Sequence, residues 1–136
     1  MKLARIRFLI PFMLIFVLTS CAQKESSWVG TYKSVLPCVN CEGLETTITL
    51  KEDTTFLLKI KPLGLDVTIP DTTGRLIWTE TNKFFTLDIE SMVSKHFEVA
   101  GDTLFNLDLY EERVTGPDAH KFAYKNMNLV LLTNNN

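Results

Sequence analysis

The chain has 136 residues, of which 46% are hydrophobic, and its formal net charge is −2. This composition is too apolar for a disordered protein, and three cysteines are too few for a disulfide-dense miniprotein. The sequence has no lysine- and arginine-rich cluster, which argues against nucleic acid as a partner because that affinity comes mainly from contacts with phosphates.

The first 20 residues have the features of an export signal. Lys2, Arg5 and Arg7 form a positively charged region, and residues 8–18 are an uncharged apolar run of 11 residues. A spanning helix needs about 20 apolar residues, so this run predicts a cleaved signal peptide and not a mature transmembrane segment. After removal of residues 1–20 the chain carries 11 basic and 16 acidic side chains, a net charge of −5.

The segment Leu18-Thr19-Ser20-Cys21 resembles the lipobox of bacterial lipoproteins. In that pattern the sulfur of Cys21 receives a diacylglycerol, and the new amino terminus receives an acyl chain such as palmitate. At about 0.8 kcal/mol for each buried methylene, several acyl chains would anchor the protein to a membrane in effect permanently. Residues 21–27 would then form a short lipidated tether.

The residues after Cys21 bear on the membrane in which the anchor lies. Ala22 follows the cysteine and there is no aspartate, which resembles the sorting pattern for the outer membrane, facing the periplasm. Gln23, Lys24 and Glu25 also weakly resemble a surface-export tag, so exposure on the cell surface stays open. Outside the cytoplasm disulfides form and persist, and the thiols left to pair are Cys38 and Cys41.

From Trp28 onward the apolar residues alternate with a period of two, which is typical of half-buried strands. Leu44, Thr46, Ile48 and Leu50 share one face of the best example. Other alternating segments are 56–60, 76–78, 85–89, 97–99, 105–109 and 129–132.

Turn-forming residues separate these segments. They occur at 52–53, 62–64, 70–74, 81–82, 101–102 and 116–118. We expect an all-β fold over residues 28–133, a small up-and-down antiparallel β-barrel of about eight strands, in which closure removes exposed edges. The longest connection, between Tyr110 and Phe122, is a candidate flap.

The segment Pro37-Cys38-Val39-Asn40-Cys41-Glu42-Gly43 predicts a tight loop, because a CxxC pair is held between proline and glycine. Three chemistries compete for the pair: a structural disulfide, a thiolate site for a soft metal such as Cu(I), and a redox couple of thioredoxin type. The thioredoxin type requires a helix after the first cysteine, and the residues from Leu44 predict a strand. A disulfide is therefore the default in an oxidising compartment, with metal contact next.

Few other residues could complete a metal site. Zinc requires four ligands, and the histidines are His96 and His120. His96 alternates with the apolar residues of its strand, and His120 lies in the long connection, so we interpret both as solvated side chains. Met92 and Met127 could offer thioethers to Cu(I), but methionine more often fills gaps in a core.

The motif Trp28-x-Gly30-x-Tyr32, followed by the CxxC segment and by Asp53-x-Thr55-Phe56, closely resembles the N-terminal domain of the NlpE family, lipoproteins described in copper resistance or envelope stress. The likeness continues more weakly through Gly74-Arg75-Leu76-Ile77-Trp78 and to residue 133. It implies a lipocalin-like β-barrel, an outer-membrane anchor and a role in sensing or handling metal or surface stress, with an envelope protein as a partner.

The sequence also departs from the pattern of the family. The best-known members carry a second, C-terminal domain through which signalling is thought to pass, and this chain stops at Asn136. A glycine-rich hairpin of the family is replaced by Pro62-Leu63-Gly64-Leu65-Asp66. Signalling to a sensor kinase is therefore the part of the family description that we transfer least readily.

Three function classes remain to be weighed. The first is a non-enzymatic sensing lipoprotein whose CxxC loop reports metal or redox state. The alternatives are a protein that sequesters Cu(I) through Cys38 and Cys41 and a carrier of a small apolar ligand inside the barrel. An enzyme is not expected, because the sequence has no nucleophile paired with a base and no G-x-S-x-G or metalloprotease motif.

Overall fold

The computed structural model describes residues 28–90 and 95–128, and these residues form an all-β fold. The strands are β1 (Gly30–Leu36), β2 (Gly43–Leu50), β3 (Thr55–Leu63), β4 (Thr72–Trp78), β5 (Phe84–Leu87), β6 (His96–Ala100), β7 (Thr103–Asn106) and β8 (Ala123–Asn126). A short 3₁₀ helix, Ala119–Phe122, precedes β8. Within these residues no helix has the length and apolarity needed to cross a bilayer. The predicted signal peptide, Cys21, the tether and Met92 lie outside the described residues.

Each strand pairs antiparallel with the next, and β8 returns to β1 to close the barrel. The closing contact is short, with Tyr32 opposite Asn126 and Lys33 opposite Lys125. The prediction of a small up-and-down barrel is confirmed. The strand that closes it is Ala123–Asn126, which the alternation of apolar residues did not reveal because only Tyr124 is large and apolar there. The predicted final strand at 129–132 lies outside the described residues.

The two ends of the barrel differ. At the end where β1 begins, short hairpins join β2 to β3, β4 to β5, and β6 to β7. We call this the tether end, because residue 28 enters the fold there. At the opposite end, which we call the loop end, the connections are long; they include residues 37–42, 64–71 and 107–122. Loops of this kind carry function more often than the strands do.

Large side chains fill the interior of the barrel. Tyr32, Phe56, Phe85, Phe97 and Tyr124 are all almost completely buried. The centroids of the Phe85 and Phe97 rings lie 5.4 Å apart, and those of Phe97 and Tyr124 lie 5.7 Å apart. The interior of this small barrel is therefore a packed core.

Two segments that the sequence predicts as turns belong instead to strands. Gly74 lies within β4 opposite Phe56, where a Cβ atom would be 2.8 Å from the Phe56 ring, so this glycine makes room for the ring instead of forming a turn. Pro62 lies within β3, in the part that pairs with β2 alone. Proline, which has no N–H, is tolerated at such an edge, and the turn begins after it at Gly64.

Candidate functional site

The CxxC loop joins β1 to β2 at the loop end of the barrel. Cys38 and Cys41 are half-buried and are joined by a disulfide, with their Cα atoms 5.3 Å apart. Val39, between them, is 97% exposed. The loop therefore presents its tip to solvent while the bridge lies partly against the barrel.

A main-chain hydrogen bond and tight packing at two glycines hold the base of this loop. The N–H of Glu42 donates a hydrogen bond of 3.1 Å to the carbonyl oxygen of Leu63. Gly64 has a φ of +77°, and a Cβ atom there would lie 3.0 Å from the Glu42 side chain. At the other side, a Cβ atom on Gly43 would lie 2.6 Å from Cγ1 of Val35. The CxxC loop is thus packed against the turn between β3 and β4, a contact that sequence spacing did not reveal.

The sulfur atoms can exist in two chemically different states. In the disulfide, Sγ of Cys41 lies 3.3 Å from the carbonyl oxygen of Gly43, and this is a contact without a proton because a disulfide sulfur carries none. A reduced Cys41 thiol could donate a weak hydrogen bond to the same oxygen. Because the thiolate is the metal ligand, only the reduced pair offers Cu(I) a binding site.

Among the described residues, the two histidines and Met127 do not join the cysteines. Within residues 28–90 and 95–128, no group of three or more histidine, cysteine, aspartate or glutamate residues could hold a metal ion. Met127 directly follows β8 at the tether end, whereas the disulfide lies at the loop end.

The two histidines have different surroundings. His120 is exposed in the 3₁₀ helix, as predicted, with Nδ1 3.2 Å from the carbonyl oxygen of Pro117. His96 points to the outer wall, also as predicted, but it is half-buried and its Nδ1 lies 2.9 Å from Oγ1 of Thr86. His96 is therefore only partly solvated, because it pairs with its neighbour on β5.

A buried carboxylate on the outer wall, Glu98, was missed by the sequence analysis. It is 6% exposed, and its oxygens lie 2.8 Å from Nζ of Lys83 and 2.6 Å from Nε of Arg113. The Arg113 guanidinium also lies 3.8 Å from the centroid of the Phe105 ring. Glu98 lies opposite Phe84 on one neighbouring strand and opposite Phe105 on the other. An acid placed between two aromatic residues on the outer wall is the sequence feature from which its burial could have been predicted.

This ion cluster fastens the long connection to the barrel. The hydrogen bond from Arg113 and then the one from Lys83 hold the pKa of Glu98 below its ordinary value, although burial acts in the opposite direction. Farther along the connection, Oγ of Ser34 donates a hydrogen bond of 2.6 Å to the carbonyl oxygen of Lys121. The segment predicted as a flap is thus tied to the wall at both of these positions.

Both tryptophans lie at the tether end, where Trp28 and Trp78 make an edge-to-face contact with ring centroids 5.1 Å apart. They are partly buried and pack against the margin of the core. With Val99 and Lys83 they also line an open cavity of about 580 Å³. They therefore combine two roles, in the core and at the rim of the barrel.

Comparisons with known proteins agree with this geometry. The sequence pattern of the NlpE N-terminal domain matches residues 32–117. Lipoprotein NlpE of Escherichia coli is 28% identical over 94 residues, which are 69% of this chain and 38% of that protein. The chain thus spans well under half of the length of this relative.

Two solved structures are also similar. A protein of Shewanella oneidensis described as a lipoprotein is 36% identical, with a TM-score of 0.65 over 74% of this chain and 89% of that one. The Cpx pathway activator NlpE from Escherichia coli is 25% identical, with a TM-score of 0.52 over 64% of this chain and 46% of that one. The family match covers most of the barrel, and so the chain belongs to the NlpE N-terminal domain family.

Proposed function

We propose that this protein is a non-enzymatic lipoprotein of the cell envelope, anchored to the outer membrane through lipidated Cys21 and facing the periplasm. Its CxxC loop senses copper or the redox state of the envelope. The observation that carries the proposal is that the pair lies in an exposed loop at the end of the barrel opposite to the entering tether. A membrane-anchored barrel would then present Cys38 and Cys41 to soluble metal, thiols or proteins.

The chemistry of the sensor follows from the two states of the pair. Reduction of the disulfide consumes two electrons and two protons and gives two thiols. A cellular thiol or dithiol is the reductant, and it is oxidised to its own disulfide. Cu(I) binding to the reduced pair then displaces the thiol protons, because thiolates are the ligands. The loop would thus report copper only after reduction.

Envelope stress is the second input that we propose. The Escherichia coli relative is named as an activator of the Cpx pathway, and by likeness we infer that this barrel also acts through an envelope protein partner. Exposed apolar side chains in three loops at the loop end support a protein contact there, since apolar side chains left open to solvent are available to a partner. They include Val39, Leu65, Val67, Ile69, Leu109 and Tyr110.

The proposal is tested by titrating Cu(I) into oxidised and reduced protein under anaerobic conditions, with a chromophoric competitor for Cu(I). We expect the oxidised protein to bind no Cu(I), the reduced protein to bind one ion per chain, and the variant Cys38→Ser/Cys41→Ser to bind none. Met127→Leu serves as the matched control and should bind as the unmodified protein does. Equal binding by the reduced protein and the double serine variant would contradict a role for the CxxC pair.

Cu(I) sequestration remains the second candidate. The same titration measures it, because sequestration requires that the reduced protein bind Cu(I) tightly. The third candidate, a carrier of a small apolar ligand inside the barrel, has less support. The core side chains occupy the interior, and the partly open pocket beside Phe85 and Phe97 measures about 90 Å³. A drug-sized ligand requires roughly 300 Å³ or more.

A further inference from the structure

The tether end of the barrel carries both tryptophans of the chain. Trp28 and Trp78 are half-buried, so part of each indole remains accessible at the rim. Together with Val99 they line the open cavity of about 580 Å³. Within the part of the chain that the structure describes, this rim is the place where large aromatic surface lies next to the entry point of the tether.

The two indoles are held in fixed positions. The hydroxyl of Tyr32 donates a hydrogen bond of 3.0 Å to the carbonyl oxygen of Trp28. Trp78 packs on Phe85 with ring centroids 5.0 Å apart, and Phe85 belongs to the buried core. Because the main chain of Trp28 and the ring of Trp78 contact buried core residues and the two indoles contact each other, the rim is a preorganised aromatic surface.

The hairpins around this rim are short and carry both signs of charge. The basic residues are Lys51 and Lys83, and the acidic residues are Glu52, Asp53, Glu80 and Asp102. A surface of this kind gains little from a strongly anionic partner. Indole rings, in contrast, favour the headgroup region of a bilayer, where one part of the ring contacts apolar groups and the N–H meets polar ones.

We propose that the tether end docks on the phospholipid surface, with Trp28 and Trp78 in the headgroup region, and that the loop end points away from the membrane. This inference rests on the proposed lipidation of Cys21. Trp28 lies seven residues after Cys21, and such a segment spans at most about 25 Å. The rim that carries Trp28 therefore meets the lipids without extension of the tether. Bringing the loop end to the lipids would require a stretched tether, which costs conformational entropy.

Tryptophan fluorescence tests this orientation, because both native tryptophans lie at the rim. The lipidated full chain is reconstituted into phosphatidylcholine vesicles, with and without phospholipids brominated on their acyl chains. We expect brominated lipids to reduce the emission intensity, and we expect a blue shift relative to the non-lipidated Cys21→Ala protein. Co-sedimentation with the vesicles is measured on the same samples and reports the anchor separately.

A third indole at the loop end provides the control for orientation. Tyr110 is 86% exposed, so Tyr110→Trp adds a reporter there and keeps both native tryptophans. We expect the added emission to stay unquenched. Protein that sediments while its native emission is unchanged, or in which the added emission is the quenched part, would overturn the docking alone. Protein that does not sediment would contradict the lipidation of Cys21 and the docking together.

Discussion

The hydroxyl group of Tyr32, a fully buried residue, donates its hydrogen bond to the main-chain carbonyl oxygen of Trp28, four residues earlier. The bond joins the segment that enters the barrel to the centre of its core. Gly30, between them, has a φ of +150°, and a Cβ atom there would lie 2.8 Å from Nδ2 of Asn126. The Trp-x-Gly-x-Tyr motif thus holds the start of the fold in place, through the bond from Tyr32 to Trp28 and the close packing of Gly30 on Asn126 of β8. Burial raises the pKa of Tyr32, so its hydroxyl keeps its proton and remains a donor at neutral pH.

Replacing Tyr32 with phenylalanine should lower the free energy of unfolding by about 1 kcal/mol, because the ring stays and the hydrogen bonds of the hydroxyl to Trp28 and Asn126 are lost. Urea denaturation followed by tryptophan fluorescence measures this change. Tyr110→Phe is the matched control, since Tyr110 is 86% exposed, and its unfolding midpoint should not move. A Tyr32→Phe protein as stable as the original would show that the bond to Trp28 contributes nothing.

Gly74→Ala should destabilise the barrel by about 1–3 kcal/mol, since an added methyl group overpacks the core. The new Cβ atom would lie 2.8 Å from Cε1 of Phe56 and 3.2 Å from the carbonyl oxygen of Asp88. Thermal unfolding by circular dichroism measures the loss.

The variant Phe56→Leu/Gly74→Ala separates this clash from a general effect of changing β4. A smaller side chain at position 56 removes the ring that meets the new methyl group, so the double variant should lose less stability than the sum of the two single variants. Additive losses would contradict the ring clash as the cause.

Glu98→Gln should lower stability at neutral pH by about 1.5–3 kcal/mol, the range for hydrogen bonds to charged groups. The pKa of Glu98 in the folded protein lies below its ordinary value of 4.5. The ion pairs with Arg113 and Lys83 therefore stabilise the fold fully above that value, and their contribution is lost as the pH falls through the folded pKa.

Urea denaturation over a series of pH values from neutral to acid measures this dependence. The unmodified protein should lose stability in the acid range below pH 4.5, and Glu98→Gln should lose less over the same range. Glu112→Gln, an exposed change in the same connection, should leave the pH profile unaltered. Parallel profiles for Glu98→Gln and the unmodified protein would exclude this ion cluster as a source of acid sensitivity.

Removal of the disulfide with Cys38→Ser/Cys41→Ser should cost about 2 kcal/mol or less, because a bridge across so short a loop restricts the unfolded chain little. Changing both cysteines avoids an unpaired thiol. Urea denaturation under oxidising conditions measures the difference. A much larger loss would mean that the bridge supports the packing of Glu42 against the turn at Gly64 as well as closing its own loop.

Cys21→Ala should move the protein from the membrane fraction to the soluble fraction, since the acyl chains supply the proposed anchor. Fractionation of expressing cells measures this change. Mass spectrometry of the protein without substitutions should show the added mass of the lipid at the mature amino terminus. Ser20→Ala keeps the cysteine and serves as the control, which should stay in the membrane fraction. A Cys21→Ala protein that remains with the membranes contradicts an anchor at this residue.

The sequence alone determined the fold class, because buried and exposed residues alternate along each strand of an antiparallel barrel and this alternation is visible in neighbouring residues. Thr46, Ile48 and Leu50 alternate with polar neighbours along β2, and all three are buried. Period-two alternation needs no information from distant parts of the chain. The CxxC loop was likewise visible from Pro37 and Gly43, and the family resemblance rested on short motifs of this kind.

The tertiary structure alone decided features that depend on partners far apart in the chain. The sequence predicts Gly74 as a turn residue, whereas the structure places it beside the Phe56 ring. Glu98 looks like a solvated acid in the sequence, whereas the structure pairs it with Arg113 of the long connection. The placement of the disulfide and the two tryptophans at opposite ends also follows from the closed topology. Local pattern reports which face of a strand is buried, but only closure of the barrel decides which distant residues meet.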